Sequence, residues 1–136
     1  MFANIRLAPG ILEKVIKHAK DSYPKEGCGL IAGSEGLGSR FIPMENLRDS
    51  STSYDMDPSQ LISTLRDIRN SGEHLLAIYH SHPFGPAQPS KSDIERAYYP
   101  EAAYLIVSLA EMERAQISAF RILDGEVLEV ELHAIV

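Results

Sequence analysis

Two histidines one residue apart, His80 and His82, stand at the end of an apolar run, His74 to His80 (HLLAIYH). If that run is a strand, its side chains alternate in direction and the two imidazoles face the same way. They can then share one metal ion. Eight residues past His82 comes Ser90-Lys91-Ser92-Asp93. Asp93 lies about one helical turn beyond Ser90 and can swing a hard oxygen donor back toward the histidines. Two nitrogens and one oxygen with a fourth position open describe a catalytic zinc site, not a closed structural one.

Zinc in such a site lowers the pKa of a bound water to about 7, which makes a nucleophile available at neutral pH. Hydrolysis of a peptide bond also needs a group that takes the water's proton and passes it to the leaving amine. A carboxylate that is not itself a ligand serves well. The Ser90 hydroxyl can donate a hydrogen bond to the developing oxyanion, where electrostatic stabilisation matters most.

These residues need a scaffold. Residues 4 to 7 read as a short strand, broken by Pro9-Gly10. From Ile11 to about Tyr23 the residues Ile11, Leu12, Val15, Ile16 and Ala19 recur at helical spacing. Lys14, Lys17 and Lys20 form a solvated face, and Pro24 stops the helix. Gly27 to Gly33 (GCGLIAG) is a strand of small residues suited to close backbone approach. A turn at 34–39 leads to a strand near 40–45, and the serine-rich stretch 46–54 is read as loop running into a short strand. Asp57-Pro58 caps a helix reaching about Asn70, with Leu61, Ile62, Leu65 and Ile68 as its buried stripe. Residues 74–80 form a central strand. Three prolines stiffen the loop 83–90, and a short helix starts near Ser90 to Asp93. Strands follow at 103–109, 115–123 and 126–136, the last two joined by a hairpin at Asp124-Gly125. The expected fold class is α/β, a mixed sheet with helices against its faces.

The chain has 136 residues, with 44% hydrophobic and 24% charged. That suits one compact domain over residues 1–136 with a real core. The formal charge is −6, and Arg66, Arg69 and Arg96 are interleaved with acidic residues, so nucleic acid is not an expected partner. Cys28 is the one cysteine, which excludes an internal disulfide and fits a reducing compartment. No apolar run approaches the ~20 residues of a membrane helix. The start, MFANIRLAPG, lacks the layout of a signal peptide. The expected address is the cytoplasm, with no membrane partner.

The pattern His80-x-His82, seven residues, Ser90, two residues, Asp93 resembles the signature of the JAMM (MPN-plus) zinc metallopeptidases at every motif position. The order of strand, loop and helix up to the strand Tyr104 to Ser108 is similar too. The resemblance implies an MPN domain, loosely like the cytidine deaminases in fold, with zinc on His80, His82 and Asp93. It also implies an upstream glutamate at a strand start that orients the zinc-bound water, and Glu26 in PKEGCG is the residue that matches; Glu13 and Glu35 are weaker rivals. The bare domain, without long insertions, is similar to the small prokaryotic branch that includes peptidases of sulfur-carrier proteins. That likeness implies cleavage after the C-terminal Gly-Gly of a ubiquitin-like carrier of the ThiS/MoaD type. The carrier's tail would enter as an added strand.

Three alternative readings fit the sequence less well. A non-catalytic MPN scaffold that holds a protein partner in the same cleft normally lacks a ligand, and none is missing here. A nucleobase deaminase needs His-x-Glu and Pro-Cys-x-x-Cys, which one cysteine cannot supply. A DNA-associated relative is disfavoured by charge. His18, His74 and His133 are expected to be exposed or locally hydrogen-bonded. Cys28, on the Glu26 side of its strand, is expected to be a buried thiol that could alternatively approach the metal. Phe84, Tyr98 and Tyr99 are expected to flank the cleft.

Overall fold

The structure, a computed structural model, describes residues 4–136. Its elements run β1 (Asn4–Leu7), α1 (Ile11–Ser22), β2 (Cys28–Ser34), β3 (Leu37–Met44), α2 (Pro58–Asn70), β4 (His74–His82), α3 (Lys91–Glu95), β5 (Ala103–Ser108), β6 (Gln116–Leu123) and β7 (Glu126–Ala134). The mixed sheet with flanking helices is as expected. The strands follow the order β1-β3-β2-β4-β5-β6-β7, and β1 closes the ring by pairing in parallel with both β3 and β7.

Strand β4 lies at the centre, antiparallel to β2 and parallel to β5. Both of its faces are covered, which explains its unbroken apolar reading. On one face Ala77 and Tyr79 join Leu105, Val107 and the Ile11, Val15 and Ala19 stripe of α1. On the other, Ile78 joins Leu30, Tyr104, Ile106 and Ile68 of α2. Each fully buried Leu or Ile contributes roughly 1.5–3 kcal/mol, so the strand that carries the histidines is held from both sides. Lys14, Lys17 and Lys20 are exposed, as their spacing required.

The cap of α2 agrees with its expected start. Asp57 accepts the amide N–H of Ser59 at 3.1 Å with Pro58 in the first turn of α2. Ile62 differs from expectation: it is 58% exposed, and Leu61 and Leu65 are only partly buried against the core. Helix α2 touches the sheet along a narrower stripe, with Ile68 buried and Leu61 lining a cavity shared with Tyr54, Tyr98, Tyr99 and Tyr104. The central strand also runs to His82, two residues past the expected end, because β5 continues beside it to the pair His82–Ser108. In the loop read at 46–54, a lone bridge joins Asn46 to Met56. Among the described residues no helix is long and apolar enough to cross a membrane.

Candidate metal centre

On β4 the side chains of Ile78, His80 and His82 share one face, as the period of two requires. The stiff loop 83–90 then turns the chain back, pinned by the Ser108 hydroxyl, which donates to the carbonyl of Gly85 at 2.6 Å. Helix α3 begins with a reciprocal cap: Ser90 Oγ accepts the amide N–H of Asp93 at 3.1 Å, and the amide N–H of Ser90 donates to Asp93 Oδ2 at 2.9 Å. That cap fixes the Asp93 carboxylate. Its Oδ2 lies 3.1 Å from His80 Nε2 and 3.0 Å from His82 Nε2, and the two Nε2 atoms are 3.2 Å apart. The structure thus brings together the three side chains that sequence spacing places near one another.

The donor set fits a cation. His82 Nδ1 donates to the carbonyl of Pro86 at 2.8 Å, so in the neutral ring the Nε2 lone pair faces Asp93 Oδ2. A lone pair and a carboxylate oxygen 3.0 Å apart repel unless a proton or a metal lies between them. A tetrahedral ion about 2.0–2.1 Å from each donor spaces its ligands about 3.3 Å apart, close to the three distances seen. Among the described residues, His80, His82 and Asp93 form the group of acidic, thiol or imidazole side chains able to hold a metal ion.

The electrostatics agree. Burial lowers the pKa of His80, which keeps its ring neutral. At His82 burial acts the same way, but bonds to Asp93 and to the Pro86 carbonyl outweigh it and raise the pKa. Burial would raise Asp93, yet hydrogen bonds from both histidines hold it well below the usual carboxylate range. A proton on His82 and a metal ion compete for one lone pair.

Glu26 precedes β2. The antiparallel pair Cys28–His80 continues with a bond from the Ser81 amide to the carbonyl of Gly27 at 3.0 Å. One more step of that register sets Glu26 beside His82. Its side chain is 3% exposed, and Oε1 has no hydrogen-bond partner. Burial pushes its pKa up to about 8, with His82 opposing and Asp93 reinforcing the shift. Its backbone is fastened on both sides: the amide N–H donates to the carbonyl of Ser50 at 2.8 Å, and the carbonyl accepts from Asn46 Nδ2 at 3.0 Å.

Asn46, Tyr54 and Pro86 were not singled out from sequence. Asn46 sits in polar loop sequence, and its four bonds reach Glu26, Ser53, Arg48 and Asp55. Tyr54 stacks on His80, with 4.8 Å between centroids and 23° between planes. A motif signal existed for Pro86 alone, as a proline within the stiff loop.

Cys28 is buried, its thiol donates to the carbonyl of Met44 at 3.6 Å, and burial pushes its pKa up to about 12, so it is no thiolate ligand. Glu13 and Glu35 are exposed and apart from the site. His18 bonds the Tyr79 hydroxyl at 3.2 Å on the opposite face of β4, His74 is exposed, and His133 lies 3.1 Å from Glu131. Tyr98 and Tyr99 line a cavity beside the centre, whereas Phe84 packs edge-on against Tyr23.

A ring-closed mixed sheet with a His-x-His strand end and a capped aspartate defines a JAMM/MPN-type domain. The family model described as prokaryotic homologs of the JAB domain matches residues 9–122, and the chain belongs to that family. It is 34% identical over 127 residues to a CysO-cysteine peptidase of Mycobacterium tuberculosis, covering 92% of this chain and 87% of that protein. It is 46% identical over 89 residues to a probable TtuB-protein conjugate cleaving protease of Thermus thermophilus, covering 65% of this chain and 60% of that one. A solution structure from Desulfitobacterium hafniense superposes with a TM-score of 0.86 at 34% identity, covering 96% of this chain and 92% of that one. A JAB1/MPN domain protein from Archaeoglobus fulgidus shares the fold, with a TM-score of 0.65 at 20% identity and 97% of each chain covered.

Proposed function

We propose that this chain is a zinc-dependent peptidase or isopeptidase that hydrolyses the bond after the C-terminal Gly-Gly of a ubiquitin-like sulfur-carrier protein. The observation that carries the reading is the Nε2, Nε2 and Oδ2 triangle with sides of 3.0–3.2 Å, held by the Asp93 cap and by the bond from His82 Nδ1 to the carbonyl of Pro86. The relatives' names, a peptidase acting on CysO-cysteine and a protease of TtuB conjugates, support the substrate class.

In this reading His80, His82 and Asp93 hold the metal. Zinc, when bound, polarises the substrate carbonyl and makes water more acidic. Glu26 accepts a proton from the attacking water and delivers it to the leaving nitrogen. Its low exposure and unpartnered Oε1 suit a general base, since a carboxylate of raised pKa matches proton transfer near neutrality. A binding-only scaffold gives no reason to bury that oxygen unpaired. Ser90 Oγ accepts from Asp93, which leaves the hydroxyl proton for the oxyanion. Water's hydroxyl joins the glycine carbonyl carbon, the C–N bond breaks, and the amine leaves with the proton relayed by Glu26.

Chelation followed by metal replacement tests the reading. Cleavage of a Gly-Gly-extended carrier should vanish on chelation and return with one zinc per chain. Cleavage that persists in fully metal-free protein contradicts it.

A further inference from the structure

A cavity of about 230 Å³ opens directly beside the centre and shares His80 and Asp93 with it. Its floor is apolar, made by Leu30, Met56, Leu61, Ile78 and Tyr104. It is smaller than the roughly 300–1,000 Å³ of small-molecule sites, and suits one amino-acid side chain. Because two metal-binding side chains form its wall, whatever fills it is continuous with the scissile bond.

One cation stands among the residues lining this cavity. Arg96 ends α3, three residues after Asp93, and its guanidinium lies 5.9 Å from the centroid of the Tyr54 ring that stacks on His80. Its ion pair with Asp55 is long, 3.7 Å, and its side chain is about one third exposed (34%). A guanidinium carries five donors in a planar fork matched to a carboxylate. The Asp55 pair is beyond hydrogen-bonding distance, so a ligand carboxylate can compete for the fork.

We infer that this cavity binds the residue released by the reaction, its apolar side chain on the cavity floor and its free α-carboxylate on Arg96. The inference rests on the peptidase reading above and adds to it a subsite for the leaving residue, with Arg96 as the group that selects a free carboxylate. Consecutive residues repeat every ~3.8 Å, so the terminal carboxylate of one leaving residue stays within a residue's reach of the centre. In a longer extension the corresponding group is a backbone amide, and in an isopeptide adduct it belongs to the methylene stem of a lysine; neither offers Arg96 a charge.

The test uses the zinc-loaded full chain and a sulfur-carrier protein extended after Gly-Gly by one leucine, prepared as free acid and as C-terminal amide. The acid should be cleaved with about tenfold higher kcat/KM, the worth of one charge-assisted hydrogen bond. In Arg96→Gln that ratio should fall to near one, mostly through KM, and Arg96→Lys should restore part of it. Replacing the terminal leucine by glycine should raise KM. Equal cleavage of acid and amide by the parent protein overturns the carboxylate site and leaves the peptidase reading standing. Equal KM for the leucine and glycine substrates overturns the apolar subsite alone. No cleavage of either substrate, with zinc bound, overturns both the inference and the reading beneath it.

Discussion

The side-chain amide of Asn46 donates to the backbone carbonyl of Glu26 at 3.0 Å, twenty residues away in sequence. The same amide nitrogen reaches the carbonyl of Ser53, and its oxygen accepts the N–H groups of Arg48 and Asp55. All four hydrogen-bonding positions of one buried amide are therefore used. Asn46 joins the strand end that carries Glu26 to the loop that lays Tyr54 on His80.

Removing that amide leaves several partners unpaired. Asn46→Ala should lower stability by roughly 1–3 kcal/mol, read from denaturant midpoints. It should also lower kcat while zinc still binds, because the metal's own donors lie on other elements. Parental stability would remove Asn46 from the framework.

Glu26 and His82 should separate metal binding from turnover. Glu26→Gln keeps one zinc per chain and loses roughly 10²–10⁴-fold in rate. His82→Ala loses both. Metal content by mass spectrometry and initial rates on one substrate decide the matter, and a Glu26→Gln protein working at the parental rate removes it from the chemistry.

Ser90→Ala separates the observed cap from the oxyanion role proposed for this hydroxyl. As an oxyanion donor its hydroxyl is worth roughly 10²-fold in kcat; as the cap of α3 it contributes about 1 kcal/mol. Ser90→Ala should show the kinetic loss, whereas a change in stability alone makes Ser90 only a cap.

In the metal-free protein Glu26 contributes stability that is lost as pH rises from about 4.5 to about 8. His80, with its lowered pKa, acts in the opposite direction, so the difference between the parent and Glu26→Gln isolates the Glu26 part. Glu26 has its pKa raised by burial to about 8 from an ordinary value of 4.5, so across this window the folded chain holds a proton that the unfolded chain has released. The slope from this one group approaches −1.4 kcal/mol per pH unit. Glu26→Gln should flatten it, and so should zinc, whose charge favours the carboxylate. Denaturant midpoints across that range check the sign.

Much of the centre was legible because it obeys local rules. The period of a strand puts His80 and His82 on one face, and a Ser90-x-x-Asp93 cap needs only one helical turn. Glu26 came from a family likeness, since its register with His82 depends on β2 pairing with β4 across more than fifty residues. Asn46 stayed hidden for the same reason: its bonds to Glu26 and Asp55 are made only once a serine-rich loop has folded back. Closure of the sheet through β1 and β7 joins the two ends of the described chain in parallel, a pairing no local pattern encodes. Ile62 fits the helical stripe by spacing, but only the tertiary packing of α2 decides which of its apolar residues reach the sheet, and Ile62 stays 58% exposed.

The most direct measurement is the intact mass of a sulfur-carrier protein bearing a C-terminal extension after Gly-Gly, taken before and after incubation with the zinc-loaded chain. The expected result is a product ending at the second glycine, with the extension released whole. An unchanged carrier mass, with one zinc per chain confirmed on His80, His82 and Asp93, would contradict a carrier-processing peptidase.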